Sequence, residues 1–188
     1  MIKKFKHIFF ITFILNFIIN CESNKNNKSD WVYLFDGTST KGWRAYNESK
    51  MPPGWKIIDG VLTFKTEQIL EQDFDYRGSR DIIYGDEMFD NFELYVEWKI
   101  PVGGNSGILY HIKEGYDGPQ EVAPEYQLID DENYASIHDL TEANKSVGFE
   151  NPSQLHPLQK TSSDYAMYAA DPKLKDLNPA GQWNNSKI

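Results

Sequence analysis

From residue 31 onward the sequence predicts an all-β domain, and three observations predict it. Phe92, Leu94, Val96, Trp98 and Ile100 alternate with Glu93, Tyr95, Glu97 and Lys99, which puts one set on the core side of a strand and would scatter it around a helix. Two short apolar runs, 55–58 and 61–64, are separated only by Asp59-Gly60, the pair that supplies the positive-φ positions of a two-residue hairpin turn. The remaining chain is aromatic, glycine-punctuated and short-patterned, which gives a sandwich or a barrel.

The 188 residues suffice for one domain with a core once the N-terminal segment is set aside. Lys3, Lys4 and Lys6 form a basic start, and residues 8–19 are apolar except for Thr12 and Asn16. That run is short for a transmembrane helix and suits the apolar region of an export signal over residues 1–20. Cys21 follows at once and is the only cysteine, so an internal disulfide is excluded. Ile18-Ile19-Asn20-Cys21 resembles a bacterial lipobox, although Asn20 stands where a small residue is usual. The resemblance implies lipidation of Cys21 and anchorage in the bacterial cell envelope, facing the periplasm or the cell surface; ordinary signal cleavage beside a free cysteine is the alternative. Residues 21–30 have no apolar side chain beyond the cysteine and read as a flexible tether to a domain spanning 31–188.

The formal net charge is −9, and −12 once residues 1–20 and their three lysines are removed. That acidity argues against a nucleic-acid partner and gives no support to a polybasic membrane patch, leaving the lipid anchor as the membrane contact.

The domain opens with an expected strand at 31–35, stopped by Asp36-Gly37. Gly42-Trp43 begins a polar loop running to Met51-Pro52-Pro53-Gly54, where two prolines exclude helix and central strand. The 55–64 hairpin follows, then a polar, irregular stretch over 66–79 and a short strand at 81–84. After the alternating strand, three glycines within 103–107 suit a tight turn into a second strand, 108–113, where His111 shares a face with Leu109. Residues 131–163 are long, polar and poorly patterned, which in a compact domain signals function or minor structure. A further short strand is expected at 165–168.

Between these lies Pro124-Glu125-Tyr126-Gln127-Leu128-Ile129-Asp130. In a strand Glu125 and Gln127 share a face, whereas Asp130, five positions on, turns away unless a bulge returns it. With such a bulge, one cleft would hold two carboxylates and an amide.

Leu34-Phe35-Asp36-Gly37 with Gly42-Trp43, the 55–62 run, Asn91-Phe92-Glu93-Leu94 with Glu97-Trp98, Gly104-Asn105-Ser106-Gly107-Ile108, the 125–130 stretch, 165–168 and Pro179-Ala180-Gly181-Gln182-Trp183-Asn184 occur in an order and spacing that resembles the 3-keto-disaccharide hydrolase family of secreted bacterial domains. The resemblance covers the chain from Trp31 to its end. It implies a two-sheet jelly roll of concanavalin A-like type whose concave face binds a small carbohydrate. Members of that family continue past the Asn184 motif with further strands, so the C-terminal strands of the jelly roll are expected to be missing here.

The resemblance also implies a substrate with a ketone at C3 of a glucosyl unit. The ketone acidifies the C2 proton, whose loss expels the group at C1; water addition then completes net hydrolysis. Such a reaction needs a base at C2, an acid or cation at the glycosidic oxygen and an electrophile at the ketone oxygen. Glu125, Asp130 and His111 suit those roles, with Glu125 favoured as base and Asp130 close behind. Gln127, Asn105, Tyr168, Trp183 and His156 are candidate substrate contacts, the tryptophan by stacking on a sugar face. A divalent cation held by Glu125, Asp130 and His111 would polarise the ketone instead, although no close metal-ligand spacing occurs. No other cofactor is implied.

Two rivals stand beside this reading. β-Glucanases of the same fold group use a bulged Glu-x-Asp-x-x-Glu strand; here the middle acid is Gln127 and the last is the shorter Asp130, which works against carboxyls about 5 Å apart. A non-catalytic sugar-binding module could use the same concave face without reacting.

Overall fold

The computed structural model describes residues 1–4, 31–64, 81–146 and 148–188. It is an all-β sandwich, with ten strands and only short helical turns among the described residues. The strands are β1 (Ile2–Lys4), β2 (Trp31–Val32), β3 (Trp43–Ala45), β4 (Trp55–Ile58), β5 (Val61–Phe64), β6 (Ile82–Tyr84), β7 (Phe92–Trp98), β8 (Asn105–Leu109), β9 (Glu125–Ile129) and β10 (Asn184–Lys187). They pair as one four-stranded sheet, β10-β7-β1-β2, and three antiparallel pairs, β3-β6, β4-β5 and β8-β9.

The alternating strand becomes β7, and its inward residue Trp98 packs with Ile100 and Leu128, flanked by Val96, Ile108 and Tyr126. Burial leaves two polar tips to satisfy. Trp98 Nε1 donates to Ser186 Oγ at 2.9 Å, and the Tyr126 hydroxyl lies 2.8 Å from both Ser186 Oγ and Ser162 Oγ. This ties β7, β9 and β10 together through one hydrogen-bonded chain. The β4-β5 turn takes the expected form, with φ of 50° at Asp59 and 78° at Gly60.

Several boundaries differ from the sequence expectation. The 31–35 strand shortens to β2, and Trp43, read as the start of a loop, lies in β3 opposite Tyr84. Asn105-Ser106-Gly107, read as a turn, belongs to β8, which ends at Leu109 because His111 takes a left-handed φ of 55°. The 165–168 strand is instead a turn closed by the Asp164–Tyr168 bridge. The long polar stretch carries two short helices, α1 (Tyr134–Ile137) and α2 (Thr141–Ser146), and Tyr134 and Ala135 of α1 pack against Ile129, Leu140 and Leu155.

β1 belongs to the segment expected to be an export signal. Here it pairs with β2 on one side and β7 on the other, with Ile2 buried. Residues 8–19, Cys21, the 21–30 tether and the irregular 66–79 stretch lie outside the described residues.

Candidate active site

β9 is the central strand of a three-stranded strip. On one side β8 pairs with it residue for residue, Asn105 opposite Ile129, Gly107 opposite Gln127 and Leu109 opposite Glu125. On the other, residues 162–165 run alongside: Gln127 N–H donates to Ser163 O, Ser162 N–H to Gln127 O, and Tyr165 N–H to Glu125 O at 2.9 Å. Opposed residues of antiparallel strands share a face. Leu109, Glu125 and Tyr165 therefore form one row, and Gly107, Gln127 and Ser163 the next. Ile108, Tyr126 and Leu128 point the other way, into the core.

Glu125 is half-buried, and its carboxyl is pushed up to about 7 by burial first and by the charge of Asp81 second. No described residue donates a hydrogen bond to that carboxyl, so no described donor offsets the cost of removing it from water. Its side chain lies across Gly107, in space that a β-carbon there would take. Asp81 is exposed at the start of β6, its backbone oxygen accepting from Tyr46 N–H at 3.1 Å.

The ladder carries no bulge near Leu128 or Ile129, so the geometry needed to bring Asp130 beside Glu125 is not formed. Asp130 turns to the opposite face and closes the strand end. Its carboxylate accepts from Gly103 N–H at 2.8 Å, from Glu132 and Asn133 N–H at 3.2 Å, and from the Asn133 amide. Burial alone would raise this carboxyl, but the donors outweigh it and hold it below the ordinary range. Glu125 and Asp130 share a strand but no cleft.

Gln127 does share the face of Glu125, but it is buried and its Oε1 accepts from Leu128 N–H at 3.1 Å. The exposed His111 ring lies against Phe92 and Tyr110, centroids 5.7 Å away in each case. Asn105, opposite Ile129, is exposed at the far end of the same face. Tyr168 is 69% exposed at the end of the turn that follows the strip. Trp183 sits before β10, 44% exposed, with Lys99 Nζ 5.0 Å from its ring centre. His156 caps the short helical turn Pro157–Gln159, its Nδ1 accepting from Leu158 N–H at 3.2 Å, and its ring meets Phe149.

Among the described residues no group of three or more His, Cys, Asp or Glu side chains converges as a metal site. Glu125, Asp130 and His111 are thus not assembled as a cation's ligands. An open hollow elsewhere, bounded by Arg44, Asn47 and Lys50, is spanned by a two-pronged Arg44–Glu114 ion pair at 2.5 and 2.7 Å; it is a surface contact away from β9.

Three residues enter that sequence reasoning did not place in the site: Asp81, Gly107 and Tyr165. Asp81 reads as a strand start and Gly107 as a turn residue, and only tertiary structure brings them to Glu125. Tyr165 was legible as a member of a short strand but not as a neighbour of Glu125.

Residues 30–188 match the model of a family described as a 3-keto-alpha-glucoside-1,2-lyase-like domain. The chain is 34% identical over 169 residues to a 3-keto-disaccharide hydrolase of Bacteroides thetaiotaomicron, covering 84% of this chain and 51% of the relative. A solved structure from Parabacteroides distasonis, provisionally described as a glycosyl hydrolase, is 36% identical with a TM-score of 0.65; the match covers 82% of this chain and 61% of that one. The chain thus spans about half the length of the curated relative it matches.

Proposed function

Since the chain belongs to the 3-keto-alpha-glucoside-1,2-lyase-like domain family, we propose that it cleaves the glycosidic bond of 3-keto-glucosides or 3-keto-disaccharides, with Glu125 as the proton-transfer group. The carrying observation is the state of Glu125: half-buried, free of hydrogen-bond donors among the described residues and pushed up to about 7. A base that titrates near ambient pH is ionised often enough to accept a proton and basic enough to pull one from carbon.

In this reading Glu125 takes the C2 proton, the C2–H electron pair forms the C1–C2 double bond, and the C1–O bond breaks with its electrons on the leaving oxygen. That oxygen must gain a proton, and Glu125, now protonated and half-buried, can return the one it removed. Water then adds across C1–C2 to complete net hydrolysis. Gln127, on the same face as Glu125, underlies the site. Export, lipidation at Cys21 and residence in the cell envelope are part of the same proposal, in which removal of residues 1–20 takes β1 from its place between β2 and β7.

The test offers the chain 3-keto-trehalose or another 3-keto-glucoside, with laminarin and a glycan panel beside it. Turnover of the keto-sugar that is lost in Glu125→Gln supports the proposal. Equal turnover in Glu125→Gln rejects the assignment, hydrolysis of laminarin would favour a glucanase, and binding without turnover a carbohydrate-binding module. For the anchor, Cys21→Ser is expected to release the protein from the membrane fraction; unchanged fractionation would contradict lipidation.

A further inference from the structure

Whether Glu125 can be held out of water is decided on the neighbouring strand. Leu109 stands opposite Glu125 and Gly107 opposite Gln127, so Glu125 and Gly107 are diagonal neighbours on one face, within reach of a long side chain. Glu125 uses that reach. A β-carbon built on Gly107 would lie 2.8 Å from Glu125 Cγ and 2.6 Å from Cδ, and closer still to Oε1. Three consecutive atoms of the side chain fill that space, so rotating the carboxyl tip alone does not clear it.

The backbone conformation at this position does not require glycine. Gly107 is not among the positive-φ residues, and it lies inside β8, where glycine weakens a strand relative to alanine. Its conformational freedom goes unused; the missing side chain is what the structure uses.

We infer that Gly107 is a positioning residue whose bare α-carbon forms the notch that seats the Glu125 side chain against β8, and that any side chain there lifts the carboxyl toward solvent. The effect on turnover rests on the proposed role of Glu125, but the seat itself is independent of it. The titratable groups around the seat are Asp81 from the start of β6 and Tyr165 from the strip beyond β9; past the end of β8 come Tyr110, on the opposite face, and the exposed His111. A methyl group at position 107 adds no charge to any of them, so an altered titration reports displacement of Glu125.

The experiment compares wild type, Gly107→Ala and Gly107→Ala/Glu125→Ala by thermal unfolding from pH 5 to 8 and by keto-glucoside turnover over the same range. Gly107→Ala is expected to fold, to lose most of the wild-type fall in Tm between pH 5 and 8, and to lower kcat by about a hundredfold with a smaller change in KM, the turnover profile shifting toward that of an exposed glutamate. A wild-type pH slope in Tm together with wild-type kcat would overturn the inference. Should Gly107→Ala fail to fold, the double variant decides: recovery of folding on removing Glu125 identifies that side chain as the one displaced, whereas continued failure overturns the seat. If the Tm slope flattens as expected but wild type turns over no keto-glucoside, the seat stands and the proposed function falls.

Discussion

Two carboxylic acids at the two ends of β9 have opposite fates. Asp130 is buried yet surrounded by donors from Gly103, Glu132 and Asn133, and its carboxyl stays below the ordinary range. Glu125 receives no such donor among the described residues, and burial first and the charge of Asp81 second push its carboxyl up to about 7. Burial raises both carboxyls, and at Asp130 alone of the two the donors reverse the shift. Asp130 is suited to holding a turn and Glu125 to exchanging a proton.

Exchanging each acid for its amide is the strongest way to break this contrast. Glu125→Gln is expected to reduce keto-glucoside turnover by about 10²–10⁴-fold, the range of a lost general acid or base, with the fold intact by circular dichroism. Asp130→Asn should do the reverse. Removing an acceptor that serves several backbone donors costs about 1–3 kcal/mol, read in urea denaturation, while turnover per folded molecule survives. If Asp130→Asn matched Glu125→Gln in lost turnover at wild-type stability, the division of labour would be wrong.

Smaller effects sharpen the same contrast. The Glu125 carboxyl is raised in the folded protein, so the stability it contributes is fully present below its unfolded value near 4.5 and is lost as pH rises through about 7. Wild-type Tm should fall across that window through this group, and Glu125→Gln, which cannot ionise, should flatten the fall. Asp81→Asn is the mildest test. Burial is the larger cause of the shift and Asp81 the second, so the midpoint of the turnover profile should move down but stay above that of an exposed glutamate. An unmoved midpoint would remove Asp81 from the site.

The sequence showed this site in part. Alternation made β7 legible, and the Asp59-Gly60 turn made the β4-β5 hairpin so, because both signals are local. The placement of Glu125 and Gln127 on one face followed from strand parity and holds. The bulge that would have returned Asp130 does not occur, because Asp130 N–H continues the ladder to Gly104 O while its carboxylate collects the donors at the turn. Gly107 was misread for a physical reason: three glycines within five residues look like a turn, whereas one of them is needed for a cross-strand neighbour that adjacent sequence cannot reveal. Asp81 acts across more than forty positions of sequence, a proximity that only the packing of β6 against β3 and the neighbouring loops creates.

The central claim is that Glu125 is half-protonated near neutral pH in the free protein. The direct measurement is a carboxyl-carbon NMR titration of the protein labelled at its glutamates, with the Glu125 signal identified by its absence in Glu125→Gln. The expected result is a Glu125 signal that titrates near pH 7. A Glu125 signal that titrates near 4.5, the ordinary glutamate value, would contradict the account.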